Sequence, residues 1–308
     1  MTEEFSFIRE VREQPAAIRK TLVELDDQLR EMARAYHGNI DRVIMLGCGD
    51  PHMHSIAAAY AFEEWTGVPA DAIEAADFAL YRYRRANPRT LIVLITTSGK
   101  TVKVIDSARL AKQRGAPMFA LTNEPNGPIV AETDTVVLTR AGFSNSGPTK
   151  ATTTALAALY CFALHWAEAA GSLSTERIAA LRQELFEEIP ARIEQALTLE
   201  PQMKAIADRF LTVPSYMFIG SGPNLATAML GTAKMKETNQ ARADAYNLEE
   251  FAHLHTLSVQ PGDPVFLITV LGDLGKRTRR IGDFIVSAEG HPIVVGPPEE
   301  KTAWADID

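Results

Sequence analysis

The chain has 308 residues, enough for two compact units, and 46% of them are hydrophobic, as in ordinary globular proteins. A net charge of −8 and a pI of about 5.5 argue against nucleic acid as the main partner, because such sites need a clustered basic face. Two cysteines far apart do not suggest a disulfide framework, and no signal peptide or membrane span is recognisable, so we expect a soluble cytoplasmic protein.

The first predicted element is a helix, packed on the main body or on a partner subunit. Its apolar residues recur at three- and four-residue spacing: Ile18, Leu22, Leu25, Leu29 and Met32. Short apolar strands then alternate with helices, and we predict strands at 42–46, 90–95, 117–121 and 135–138. Strands separated by helices predict a parallel sheet that is covered on both faces.

The rest of the chain is predicted to contain a helical connector, interrupted by Pro190, and a second α/β unit. We divide the sequence into an N-terminal helical segment at 1–37, a first domain at 38–170, the connector at 171–212 and a second domain at 213–308.

The second domain repeats the first. Gly47 and Gly220 precede equivalent loops, Leu94 and Leu267 lie in equivalent strands, and both pairs are 173 residues apart. At this offset, the last strand of the first domain would have its counterpart at or beyond residue 308. We therefore expect the second domain to lack its last strand and closing helix.

The most informative segment joins a predicted strand to a helix and reads Thr96-Thr97-Ser98-Gly99-Lys100-Thr101. Ligands of open parallel sheets bind at this end of the strands, and hydroxyls beside the free N–H groups of a helix start suit a phosphate. The spacing is not that of a Walker motif. A polar N-cap turn without a ligand is the alternative. Gly47-Cys48-Gly49-Asp50 is a second turn of this type, or only a tight strand-to-helix connection.

Lys234 and Glu237 are three residues apart on a predicted helix and therefore share a face. A carboxylate on this largely apolar helix can act as a base, although such a pair is more often a surface ion pair. A cluster of acids and histidines follows, without the spacing of a known metal site: Glu249, Glu250, His253 and His255. We expect no metal and no cofactor.

Together these segments resemble the sugar isomerase (SIS) family, in particular the isomerase half of glucosamine-6-phosphate synthase and the fructosamine-6-phosphate deglycases. The resemblance covers about residues 5–295. It rests on matches in the family's order: Glu13-Gln14-Pro15, Gly47-Cys48-Gly49, Ser98-Gly99-x-Thr101, Leu138-Thr139-Arg140-Ala141-Gly142, Thr149-Lys150-Ala151, Lys234-x-Lys236-Glu237, Ala245-Tyr246 and Glu250-x-x-His253. It implies an α/β fold of two SIS units with parallel sheets flanked by helices, the second incomplete, and a homodimer with shared active sites.

The resemblance also implies roles for individual residues. The phosphate cradle would consist of Thr96, Thr97, Ser98 and Thr101. The wall that faces the sugar would contain Cys48, Gly49, Ser146 and Thr149. Glu237 would move a proton between C1 and C2, Lys234 would assist it, and His253 of the neighbouring subunit would open the sugar ring.

The sequence departs from the family pattern at three places. Asp50 and Pro51 stand where the family has small hydroxyl residues, and a carboxylate there would repel a phosphate. Lys100 stands where an acid is common and should favour an anion. The lysine that the synthase contributes from its C-terminal tail is also missing.

We expect a phosphosugar isomerase, deglycase or deaminase that acts by proton transfer between C1 and C2. Glutaminase activity is not expected, because the sequence has no N-terminal cysteine nucleophile. The alternative is a non-catalytic protein that binds a phosphosugar or has a regulatory role.

Overall fold

A computed structural model describes residues 6–144, 147–299 and 304 of the chain. Internal contacts divide the chain into a first unit, residues 1–200, and a second unit, residues 201–308. Each unit contains a parallel sheet flanked by helices, as the sequence predicts. Within the described ranges, no helix is both long enough and apolar enough to cross a membrane.

The first unit has a five-stranded sheet in the order β2-β1-β3-β4-β5 with all neighbours parallel. Its elements are α1 (Ser6–Tyr36), β1 (Arg42–Gly47), α2 (Asp50–Thr66), β2 (Ala70–Glu74), α3 (Ala75–Asp77), β3 (Thr90–Ile95), α4 (Val102–Gln113), β4 (Met118–Thr122), β5 (Val136–Leu138), α5 (Lys150–Ala170), α6 (Thr175–Gln183) and α7 (Ile189–Leu197). The sequence does not predict β2, because this edge strand buries only Ile73 and has no apolar run.

Both faces of the first sheet are covered, which explains why every residue of β3 is buried. One face packs against α1, α2 and α5 through an apolar cluster that includes Leu22, Leu25 and Phe162. The opposite face packs against α4, with Ile92 and Val104 in its core. The prediction for α1 is confirmed, because its five apolar residues are all buried, and each such side chain contributes about 1.5–3 kcal/mol of burial free energy.

The connector is helical, as predicted, and changes its winding before Pro190. A π-helical turn covers Glu184–Glu188, and α7 begins at Ile189, so the proline occupies the first turn. A proline is tolerated there because the N–H groups of a first turn have no partner within the helix.

The second unit has a four-stranded parallel sheet in the order β7-β6-β8-β9. Starting at the boundary between the units, its elements are α8 (Glu200–Arg209), β6 (Tyr216–Gly220), α9 (Pro223–Asn239), β7 (Ala243–Asn247), α10 (Leu248–His253), β8 (Pro264–Ile268), α11 (Asp273–Ser287) and β9 (His291–Val295). The sequence does not predict β7, which buries only Ala243. Among residues 201–299 and 304, no strand corresponds to β5.

Candidate functional site

The candidate site of the first unit lies where the order of its sheet reverses. The chain leaves β1 for β2 on one side and returns to β3 on the other side. Ligands of open α/β sheets bind beyond the carboxyl ends of the strands at such a position. The turn at 47–49 follows β1 and the loop at 96–101 follows β3, so both segments singled out in the sequence lie on neighbouring strands.

The loop after β3 has the backbone of an anion site. Gly99 has a φ of +66°, and a Cβ on it would lie 2.7 Å from Cα of Gly127, so a larger residue does not fit. Thr101 is the N-cap residue of α4, but its side chain makes no capping hydrogen bond. The first N–H groups of α4 therefore have no side-chain cap and can donate to a phosphate.

The hydroxyl groups of this loop have two different environments. The Oγ1 atoms of Thr96 and Thr101 are hydrogen-bonded at 2.9 Å, and Thr96 is buried. Ser98 is exposed, and its Oγ accepts a hydrogen bond of 3.3 Å from the backbone N–H of Lys100. Thr96 therefore supports the loop from beneath, while Ser98 faces solvent together with Lys100.

The turn after β1 contains a cysteine that acts as a hydrogen-bond donor. Cys48 Sγ donates to Glu74 Oε1 over 2.9 Å. Burial and the neighbouring Glu74 raise the pKa of the Cys48 thiol to about 11, so the sulfur stays protonated at neutral pH. Sequence reasoning missed Glu74, whose position opposite Gly47 becomes apparent only once β2 is recognised as a strand.

Asp50 begins α2 directly after this turn and is only 7% exposed. Its Oδ2 accepts a hydrogen bond of 2.9 Å from Thr152 Oγ1, in the first turn of α5. The carboxylate that was expected to repel a phosphate is thus bonded to α5, and this bond joins the β1 turn to the start of α5.

Carboxylates of α1 hold the segment that leads into α5. Glu10 Oε2 accepts hydrogen bonds from Ser144 Oγ at 2.7 Å and from the backbone N–H of Thr149 at 3.4 Å. Lys150 Nζ pairs with Glu13 over 2.6 Å. Among the residues that the structure describes, the buried Oγ1 of Thr149 has no hydrogen-bond partner. The predicted wall residue Ser146 lies outside the described residues.

The second unit brings Lys234 and Glu237 together on α9. Lys234 Nζ donates to Glu237 Oε2 over 2.7 Å, and the side chains are 15% and 36% exposed. His253 ends α10 with a side chain that is 83% exposed, and its Nε2 lies 4.0 Å from Glu249 Oε2. Within one chain, His253 thus lies beside Glu249, whose carboxylate accepts hydrogen bonds from Arg277.

The second unit repeats the backbone of the candidate site but not its chemistry. Gly222 and Gly272 have φ values of +55° and +90°, so both turns keep their left-handed glycines. The loop after β8, however, reads Thr269-Val270-Leu271-Gly272-Asp273-Leu274. Apolar side chains and an acid replace the hydroxyls and the lysine, which makes this loop a poor site for a phosphate.

In the described part of the chain, one group of side chains has the donors and spacing of a metal site: Asp26, Cys161 and His165. Arg182 and Arg30 already pair with the Asp26 carboxylate at 2.8 and 2.5 Å. Burial alone would raise the pKa of Asp26, but hydrogen bonds from Arg182 and His165 lower it to about 2. We assign this cluster to the packing of α1, α5 and α6.

Comparison with known proteins agrees with this geometry. Residues 39–165 match the family model of the SIS domain. Glutamine–fructose-6-phosphate aminotransferase (isomerizing) of Clostridium perfringens is 31% identical over 279 residues, 87% of this chain and 45% of that protein. The corresponding protein of Acidithiobacillus ferridurans is 34% identical over 277 residues, 84% of this chain and 44% of that protein. The chain spans about half the length of the curated relatives it matches.

Solved structures show the same fold. The C-terminal domain of glucosamine-fructose-6-phosphate aminotransferase from Francisella tularensis superimposes with a TM-score of 0.91 at 26% identity, covering 98% of this chain and 86% of that one. Glucosamine-6-phosphate deaminase from Thermotoga maritima gives 0.74 at 19% identity, covering 95% and 85%. Residues 39–165 belong to the SIS-domain family. Over most of its length, the chain is similar to the aminotransferase, whose C-terminal domain has the same fold.

Proposed function

We propose that this protein is a sugar-phosphate isomerase, deglycase or deaminase that moves a proton between C1 and C2 of a ketose or amino-sugar phosphate. One observation carries the proposal: the start of α4, which has no side-chain cap, lies behind a hydroxyl-bearing loop at the switch point of the first sheet. A helix start favours a bound anion by about 0.3–1 kcal/mol, or up to about 2 kcal/mol when partly buried.

In the proposed mechanism the loop of Thr97, Ser98 and Thr101 binds the phosphate group. Glu237 removes the proton from one carbon and returns it to the next through an enediol or enolamine. Lys234 donates a hydrogen bond to Glu237 on α9, so the proposal assigns the two side chains to one site. Lys234 also offers a cation to negative charge that develops on the substrate oxygen.

Exchange of the C1 protons tests this proposal. The protein is incubated with fructose 6-phosphate in D₂O, with and without ammonia, and the C1 signals are followed by NMR. We expect these signals to disappear, and we expect their loss to require Glu237. Binding without exchange would instead favour the alternative, a regulatory protein that senses a phosphosugar.

We further propose that the protein is a homodimer in which His253 of one subunit opens the sugar ring in the site of the other. The 83% exposure of this histidine supports the assignment, since an exposed side chain is accessible to a second subunit. The test mixes Glu237→Gln and His253→Ala proteins, each inactive alone, by unfolding and refolding them together.

Random pairing makes about half of the dimers mixed, and each mixed dimer has one intact site if sites are shared. Roughly a quarter of all sites should then recover activity. If sites are built within one chain, every site keeps a lesion and a sample shown to contain mixed dimers stays inactive.

A further inference from the structure

The crevice between β1 and β3 carries opposite charge at its two ends. At the β3 end, Lys100 and the start of α4 favour an anion. At the β1 end are two carboxylates, Asp50 after the turn and Glu74 opposite Gly47 in the strand register. Burial opposes ionisation of Glu74, but hydrogen bonds from Cys48 and from two backbone N–H groups lower its pKa. This distribution suits a ligand with a phosphate at one end and a positive charge at the other.

Asp50 is a charged group in a protected position. It is nearly buried, it begins α2, where the helix start stabilises negative charge, and Thr152 donates to its carboxylate. The thiol of Cys48 and the hydroxyl of Thr152 are both neutral donors, so neither removes the negative charge of this end of the crevice.

Thr149 gives a second, independent indication of a ligand. Its Oγ1 is buried and has no hydrogen-bond partner among the described residues, although most buried polar groups in proteins have one. Thr149 immediately precedes α5, and Thr152 lies three residues further on in the first turn. The hydrogen bond from Thr152 to Asp50 therefore holds the first turn of α5 at the carboxylate, and the unpartnered hydroxyl belongs to the residue that begins this turn.

We propose that Asp50 is a specificity-determining residue that selects sugar phosphates carrying a protonated amine over those with a hydroxyl at the same carbon. The inference rests on the proposed function, since it takes the crevice to be the phosphosugar site. The phosphate lies at the β3 loop, the ammonium group approaches Asp50, and Thr149 donates to or accepts from a neighbouring sugar hydroxyl.

The test compares glucosamine 6-phosphate with glucose 6-phosphate, which differ only by an amine in place of a hydroxyl. Inorganic phosphate serves as a probe of the β3 loop alone. Titration calorimetry is done at about pH 6.5. This is below the pKa of an ordinary α-amine, ~7.7–8.0, so the amine stays protonated. The native protein should bind the amino sugar roughly tenfold or more tightly, as expected for a charge-assisted hydrogen bond.

Two variants test whether the preference for the amino sugar depends on Asp50. Asp50→Asn and Asp50→Thr both remove the charge, and Thr restores the small hydroxyl residue of the family. Each should bind the two sugars with affinities within about twofold of each other and should leave the affinity for inorganic phosphate unchanged or slightly higher. Asp273→Asn is the matched control, since it removes the same charge from the start of α11.

Thr152→Val distinguishes the effect of the negative charge of Asp50 from the effect of its position. It removes the hydrogen bond to Asp50 but keeps the carboxylate, so sugar phosphates should bind more weakly while the preference for the amine persists. Equal affinity of the native protein for both sugars, or a preference that survives in a folded Asp50 variant, overturns the inference. If the native protein binds neither sugar and no inorganic phosphate, the proposed function fails instead.

Discussion

The two units share a backbone plan but differ in the loops that follow their central strands. In the first unit, the loop after β3 presents Ser98 and Lys100 in front of an uncapped helix start. In the second unit, Leu271 and Asp273 occupy the corresponding positions behind the same left-handed glycine. The two loops thus share their glycines and differ in the side chains around them, and we expect these side chains to determine which loop binds an anion.

The units also differ in what covers the helix after the first strand. In the first unit, α5 packs on α2, and α2 contains buried polar residues such as His54. At the corresponding position of α9, Thr227 is exposed, and the described residues of the second unit include no counterpart of α5. Exposure of Glu237 does not follow from this difference, because Glu64, at the corresponding position of the covered α2, is exposed as well.

The largest expected effect is the loss of the proposed base, Glu237, in the second unit. Glu237→Gln keeps the shape of the side chain but removes proton-accepting ability, so turnover should fall by about 10²-fold or more. Substrate affinity should change little. The matched control, Asp283→Asn, breaks another ion pair on a helix of the same unit and should leave turnover unchanged. Activity that survives in Glu237→Gln would show that the base has been misassigned.

The next effect concerns the loop that follows β3 in the first unit. Ser98→Ala combined with Thr101→Val removes two hydroxyls, and the affinity for the best phosphosugar should fall at least about tenfold. A thermal-shift titration measures this, with the melting temperature of the free protein as a check on folding. Leu271→Ala, at the counterpart of Ser98, should have no effect. Equal losses from both changes would remove the distinction between the two loops.

The last effect is on stability and concerns His54, which is buried on α2. Burial lowers the pKa of His54 to about 4, and neither ring nitrogen has a hydrogen-bond partner among the described residues. The unfolded chain therefore binds a proton at a pH where the folded protein does not, and stability is lost as the pH falls from about 6.5 towards 4. Between about pH 7.5 and pH 5 the loss should be about 2 kcal/mol.

Urea unfolding at these two pH values measures this loss. His54→Leu should remove most of the pH dependence, whereas the control His37→Leu should keep it. A native protein with equal stability at both pH values, or an unchanged dependence in His54→Leu, would contradict the burial argument.

The sequence predicts the parallel sheets and both glycine turns, because buried strands of a covered sheet are continuous apolar runs such as 90–95. It misses the edge strands β2 and β7, whose few buried residues give no such signal. With β2 it misses Glu74, and no local pattern indicates that Asp50 pairs with Thr152, which is 102 residues away. The segments could thus be predicted, but not their partners across the fold.

A crystal structure of the protein with fructose 6-phosphate tests the central claim most directly. We predict a phosphate group at the loop formed by residues 97–101, within hydrogen-bond distance of Ser98 Oγ and the first N–H groups of α4. The loop at 270–274 should hold no phosphate. A phosphate bound at 270–274, with the loop of the first unit empty at saturating ligand, would contradict the account.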